Sequence, residues 1–192
     1  MAVNRALREV LTEQDFALAI DGAKVVSTLT PDHISPDNSA KLALRDNLHG
    51  GKCWKLRGVQ GQIGIRLSNS IHPTSVTIDH LPREVTHDID QAPRRMTLWG
   101  VVDGPTNHGR YAELGTHASV EKDAPPVGAG LTFAALSRFE YNIDSPRIIQ
   151  TFPIHDRIIQ SGITFSVFVL EVETNWGGNI TCIYRVRLHG VE

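Results

Sequence analysis

No apolar run in this 192-residue sequence approaches the roughly 20 residues needed to cross a bilayer, and its first residues lack the charged start and apolar centre of a signal peptide. Those absences exclude a transmembrane helix within the sequence itself. Charge imbalance is also missing: the formal net charge is −2, which leaves no electrostatic case for nucleic acid as a partner. Cysteine is scarce. Cys53 and Cys182 stand far apart, without a CxxC pair or a His/Cys cluster at zinc spacing, so thiolate metal binding is not expected. Enzyme signatures are lacking too: there is no HExxH, no GxSxG, no Walker loop and no dinucleotide fingerprint. The glycines of Gly58-Val59-Gln60-Gly61-Gln62-Ile63-Gly64 lead into a strand-like run, where glycine permits close packing or a bulge. No catalytic residue and no metal site is assigned.

What is present reads as one β-rich body. Hydrophobic residues make up 41% of the chain and charged residues 21%, the balance of a folded domain with a sizeable core. Residues 1–22 form a lead-in, in which Leu7, Val10, Leu11 and Leu18 recur at roughly helical spacing and Asp21-Gly22 supplies a stop. Strand-like runs follow at Gly64–Leu67, Ser75–His80, Met96–Val102, Arg138–Asn142, Ile148–Ile154 and Ile163–Thr174, separated by turn-forming clusters. The fold class is therefore all-β, an antiparallel sandwich of the jelly-roll or galactose-binding-like kind with a short N-terminal helix. Residues 103–130, rich in Gly, Pro, Ala and His, read as a surface insertion and not as a second domain.

The last strand carries the clearest pattern. From Thr181 to Gly190, Cys182, Tyr184, Val186 and Leu188 point one way, while Thr181, Ile183, Arg185, Arg187 and His189 point the other. Arg185 and Arg187 are expected on a solvated face. The two cysteines are either buried free thiols or a bridge closing a loop of about 130 residues, which the chain-entropy model values at about 4–5 kcal/mol. Asn179-Ile180-Thr181 matches a glycosylation acceptor and hints at an oxidising compartment. The histidines are dispersed: His87-Asp88 reads as loop surface, and His80, before Leu81-Pro82, reads as a structural histidine or a groove residue.

The ordered set Asp15-Phe16-Ala17-Leu18, His49-Gly50-Gly51-Lys52-Cys53-Trp54, Gly58-Val59-Gln60-Gly61, Arg66-Leu67-Ser68, Ile71-His72-Pro73, Thr77-Ile78-Asp79-His80-Leu81-Pro82, Ala92-Pro93-Arg94, Asn175-Trp176-Gly177 and Thr181 to Gly190 resembles the SUN domain of inner nuclear membrane proteins, in a fungal or divergent form. The resemblance covers nearly the whole chain apart from 103–130. It implies that 1–22 is the end of a stalk and 23–192 the SUN domain. It further implies a non-enzymatic β-sandwich in the perinuclear space, trimeric in the full-length protein, with its membrane span and coiled coil in a segment absent here. Such a module holds the C-terminal tail of a KASH-domain protein, and the two form the LINC bridge that couples nucleus and cytoskeleton and positions nuclei. A glycan-binding galactose-binding-like sandwich and a lumenal endoplasmic-reticulum protein acting in membrane-protein folding are the alternatives.

Residue by residue, the resemblance carries the tail-binding pattern to Gly61, His80 and Tyr184, with Gln91 in place of a serine and Ile180 in place of an aromatic. It pairs Cys53 with Cys182. The loop from Leu44 through Asn47 to Lys52 corresponds to one that holds a monovalent cation such as K+, although Lys52 replaces an asparagine and its ammonium competes with the ion. No other cofactor is implied. The lid, here about Thr30 to Leu44, is shortened, so fewer main-chain hydrogen bonds are expected along a bound tail. A cysteine able to cross-link the tail, expected near Leu29–Thr30, is absent. Any tail bound by this chain is predicted to come off in denaturant without reductant, and an intact-mass shift that only reduction removes would contradict this.

Overall fold

Strand-forming runs dominate the computed structural model, which describes residues 13–31, 39–48, 52–115 and 122–192. In chain order the strands are β1 (Lys24–Val26), β2 (Trp54–Lys55), β3 (Gly61–Asp79), β4 (Arg95–Val101), β5 (Phe133–Glu140), β6 (Ile149–Pro153), β7 (Phe165–Val172), β8 (Cys182–Ile183) and β9 (Arg185–Val191). One layer runs β1-β3-β7-β4-β5, while β6 and β9 flank the second half of β3, and β2 pairs with β8. Every pairing is antiparallel. This is the antiparallel sandwich expected from the strand spacing.

The long β3 belongs to both layers. Gly61 to Arg66 pairs with β7, and His72 to Asp79 lies between β6 and β9, with a register irregularity between Arg66 and Ile71. Its apolar residues read as two separate strands because exposed Ser68, Asn69 and Ser70 interrupt them. In β4, Met96 and Leu98 enter the main core, whereas Trp99 and Val101 join Leu29, Phe133, Val167 and Val169 on the opposite face. That second face is partly covered by the returning limb of the insertion. Lys122 meets buried Glu171 at 2.8 Å, and the Gln62 side chain holds Val127 through both its amide groups. Within 103–130 the structure shows an α-helix, Pro105–Glu113, followed after residues 116–121 by this pinned return. The segment is thus more ordered than its composition suggests.

Two expectations change among the described residues. Residues 1–12 of the lead-in lie outside them, so the helix is untested there, whereas 13–18 are not helical and lead into a three-residue 3-10 turn, Ala19–Asp21. There the chain crosses β9 instead: the Phe16 N–H donates to the Leu188 carbonyl at 2.9 Å, and Asp15 accepts from the Ala17 and Leu188 amides. The terminal strand also fails to alternate as one element. It breaks at Tyr184, so Cys182 and Tyr184 share one small cluster while Ile183, Val186 and Leu188 enter the main core. The reason is a change of partner, from Trp54 opposite Ile183 to Asp79 opposite Arg185.

The face expected to be solvated is instead largely covered, with Arg185 and His189 buried and Arg187 half-buried. Arg185 meets Asp15 at 2.9 Å, Arg187 Nε donates to Asp79 at 3.0 Å, and His189 bridges the Gln14 carbonyl and the Thr77 hydroxyl. Asp79 is fully buried. Removing one member of a buried ion network leaves the others uncompensated and costs roughly 3–5 kcal/mol. Chemical denaturation of Asp79→Ala is expected to show a loss of that order. Arg83→Ala, which removes an exposed pair with Asp144, should leave the midpoint nearly unmoved.

Candidate functional site

The break at Tyr184 is where the sequence-predicted residues begin to converge. Tyr184 and His80 are both nearly buried, and their rings meet edge-on with centroids 4.9 Å apart. Each is placed by a strand terminus, because His80 follows the last residue of β3 and Tyr184 precedes the first of β9, and those two residues, Asp79 and Arg185, face each other in register. Behind the rings, Cys53 and Cys182 are joined, with Cα atoms 5.5 Å apart, and Leu48 and Leu81 pack against the bridge and Tyr184. Among the described residues the Tyr184 hydroxyl has no hydrogen-bond partner. It can therefore donate to a ligand.

His80 Nδ1 lies 3.0 Å from the Leu81 carbonyl, an oxygen that can only accept. The nitrogen must carry the proton, which leaves Nε2 of the neutral ring as an acceptor. Burial holds the imidazole below its ordinary value of 6.5, and the bond to Leu81 opposes that only in part. Tyr141, which the sequence pattern did not single out, completes the cluster. Its ring is 5.8 Å from His80, its hydroxyl donates to the Ile148 carbonyl at 2.9 Å, and the His80 N–H donates to the same carbonyl at 3.1 Å. Burial, with the nearby charge of Asp79, pushes the Tyr141 phenol up to about 12, so it stays a fixed donor.

Gln91 and Ile180 are brought together by a neighbouring loop cluster. The Gln91 side chain turns back to Asp88, at 3.2 Å, within the short turn Ile89–Gln91. Gly178 backs onto that turn so closely that a Cβ there would lie 3.0 Å from both the amide N and the Cγ of Gln91. Asn175 organises the other side, donating to the carbonyls of Gly178 and Ile180 at 2.8 and 3.0 Å. Trp176 then ties this loop to the ring cluster through Nε1–H to the Tyr141 carbonyl at 2.9 Å. Asn175 and Tyr141 carry no site signal of their own in the sequence; the Asn175-Trp176-Gly177 segment stands out only by resemblance.

Gly61 lies apart from these rings, at the start of β3. A Cβ at this position would stand 2.9 Å from the Leu56 side chain, so the glycine makes room for Leu56. The lid segment is described at 30–31 and 39–44, where Ala40–Leu44 is a buried 3-10 helix, and 32–38 lie outside the described residues. Leu44 is buried beneath the cation-loop region, while Asn47 and Lys52 line a surface pocket with Leu42 and Arg45. Among the described residues there is no cluster of three or more metal-ligating His, Cys, Asp or Glu side chains.

The model of the family described as "Sad1 / UNC-like C-terminal" matches residues 33–127 and 128–192. SUN domain-containing protein 2 of Mus musculus is 28% identical over 98% of this chain and 24% of its own length; the Klaroid protein of Drosophila melanogaster is 27% identical over 92% of this chain and 17% of its own. SUN domain-containing protein 3 of Mus musculus is 28% identical over 92% of this chain and 52% of its own length, so the chain spans about half or less of these relatives. Among solved structures, the family 32 carbohydrate-binding module of Streptococcus pneumoniae EndoD superposes with a TM-score of 0.61 at 14% identity, covering 92% of this chain and 99% of that one. The corresponding module of C. perfringens NanJ, solved with galactose, gives 0.57 at 10% identity over 92% and 98%. These last two show the shared sandwich alone.

Because His80 is held below its unfolded value, the unfolded chain binds a proton that the native chain refuses as pH falls through 6.5, and native stability drops there. Half-exposed His155, lowered mainly by burial and then by Arg157 and Arg138, adds a weaker effect of the same sign. Denaturation curves from pH 8 to 5 should show a smaller acid loss for His80→Asn than for the unaltered chain. An identical slope would argue against a buried neutral His80.

Proposed function

Since this chain belongs to the Sad1/UNC-like C-terminal family, we propose that it is the SUN-type binding module of a LINC complex, and that it captures the C-terminal tail of a KASH-domain protein without catalysing a reaction. The observation that carries this reading is the edge-on pair of His80 and Tyr184 between two fixed strand ends, with a phenolic hydroxyl that has no hydrogen-bond partner among the described residues. In this reading Tyr184 donates to the terminal carboxylate, a charge-assisted bond, while neutral His80 accepts a main-chain N–H of the tail. Gln91 and Ile180 border the same end from the loop that Asn175 organises. In this reading, as the SUN resemblance implies, the domain lies in the perinuclear space at the inner nuclear membrane, with upstream segments supplying the span and the trimer stalk. A monovalent cation at 44–52 would need backbone oxygens to outweigh Lys52. The carbohydrate-binding modules share the fold with this chain at 10–14% identity, and that likeness carries no glycan assignment.

Calorimetry with C-terminal KASH peptides tests the reading. Tyr184→Phe keeps the ring against His80 but removes the donor, and a hydrogen bond to a charged group corresponds to about a 10-fold loss of affinity or more. Peptides extended by one residue past the natural terminus should bind much less well than the originals. Equal affinity for both would refute carboxylate capture.

A further inference from the structure

A surface concavity of about 200 Å³ is lined by Leu42, Arg45, Asn47 and Lys52. Among the described residues its polar lining is a guanidinium, an ammonium and an amide, with no carboxylate. We propose that this pocket is an anion site that takes an acidic side chain of the bound partner segment, upstream of the terminal carboxylate. The identity of that segment rests on the tail-capture reading; the anion preference of the pocket does not.

The pocket stands on anchored backbone. Arg45 directly follows buried Leu44, and its amide caps the 3-10 helix by donating to the Leu42 carbonyl at 3.3 Å. Lys52 directly precedes Cys53, which is fixed by its bridge to Cys182. Between them, Asp46 is held from below, its carbonyl accepting from Arg185 at 3.4 Å. Local charge has one dominant sign: Lys41, Arg45, Lys52, Lys55 and Arg57 surround a lone Asp46 across 41–57, in a chain whose net charge is −2. A cation would meet two positive heads here, whereas a carboxylate would find donors from both and from the Asn47 amide. The same stretch reaches the ring cluster, because Leu48 packs against Cys53, Cys182 and Tyr184. One extended segment can therefore lie across both.

Two measurements decide it. Inorganic phosphate is titrated onto the unaltered chain at constant ionic strength while the Arg45 and Lys52 side-chain NMR signals are followed, with potassium as competitor. Saturable shifts that potassium does not reverse are expected, and they should vanish in Lys52→Asn and Arg45→Gln. Shifts that track ionic strength alone, or selective potassium binding, would overturn the site. In parallel, a single Glu is scanned along a KASH tail peptide against Gln at the same positions. One position should bind about 3- to 10-fold tighter as Glu, and the gain should disappear in either variant. A gain that survives both variants, or none at any position, would overturn the assignment to the partner segment. If the unaltered chain saturates with phosphate but binds no tail peptide, tail capture fails and the anion pocket stands.

Discussion

The buried carboxylate of Asp79 is the constraint on which the arrangement of this end of the molecule depends. An ionised group out of water costs several kcal/mol unless paired, and here Arg187, with Arg185 and through it Asp15, provides the compensation. An edge-to-face ring pair contributes only about 1 kcal/mol. The ion network therefore decides the geometry. His80 and Tyr184 sit one residue from Asp79 and Arg185, so their 4.9 Å contact is inherited from the register that the network enforces. The same network explains why 13–18 crosses β9 instead of continuing a helix, since Asp15 satisfies Arg185 and two backbone amides at once.

A covalent constraint acts from the other side. Cys182, two residues before Tyr184, is bridged to Cys53 across 129 positions, and Arg185, one residue after it, is held ionically. Tyr184 is the residue where the chain leaves β2 and joins β3, and it is fixed at both ends. The ordering entropy of presenting its hydroxyl is lost when the protein folds, so a ligand does not bear that cost again. Tyr141 plays the complementary part. With its phenol far above neutral pH and its hydroxyl committed to Ile148, it cannot compete for a ligand's carboxylate, and it braces His80.

Much of this is legible in the sequence because it depends on local pattern. Period-two runs separated by turn residues mark the strands, and the ordered motifs locate the cysteine pair and the two ring residues. What is not legible depends on distant partners. Arg185 and Arg187 look solvated because their carboxylates lie 170 and 108 positions away. Residues 103–130 look irregular because Glu171 and Gln62, which pin the return, belong to strands. The packing of Leu56 against Gly61 is likewise hidden, because no single-residue pattern reveals that approach.

The electrostatics of this end bear on the proposed tail capture. A buried aspartate next to His80 in the chain would by itself repel a terminal carboxylate bound at the rings. Asp15 and Asp79, however, are matched by Arg185 and Arg187, and at separations short against the screening length the four charges largely cancel outside the network. The charge around the ring pair is thus largely balanced. The polar groups that the rings could offer are a phenolic donor and, with Nδ1–H committed to Leu81, an imidazole acceptor. A donor and an acceptor on adjacent rigid rings match a chain terminus, which offers an acceptor carboxylate and a donor amide within one residue. They match an isolated anion less well, because an anion leaves the imidazole acceptor unpaired. Protonation of His80 would convert that acceptor to a donor and shift the preference toward bare anions, and its lowered pKa keeps this from happening at neutral pH.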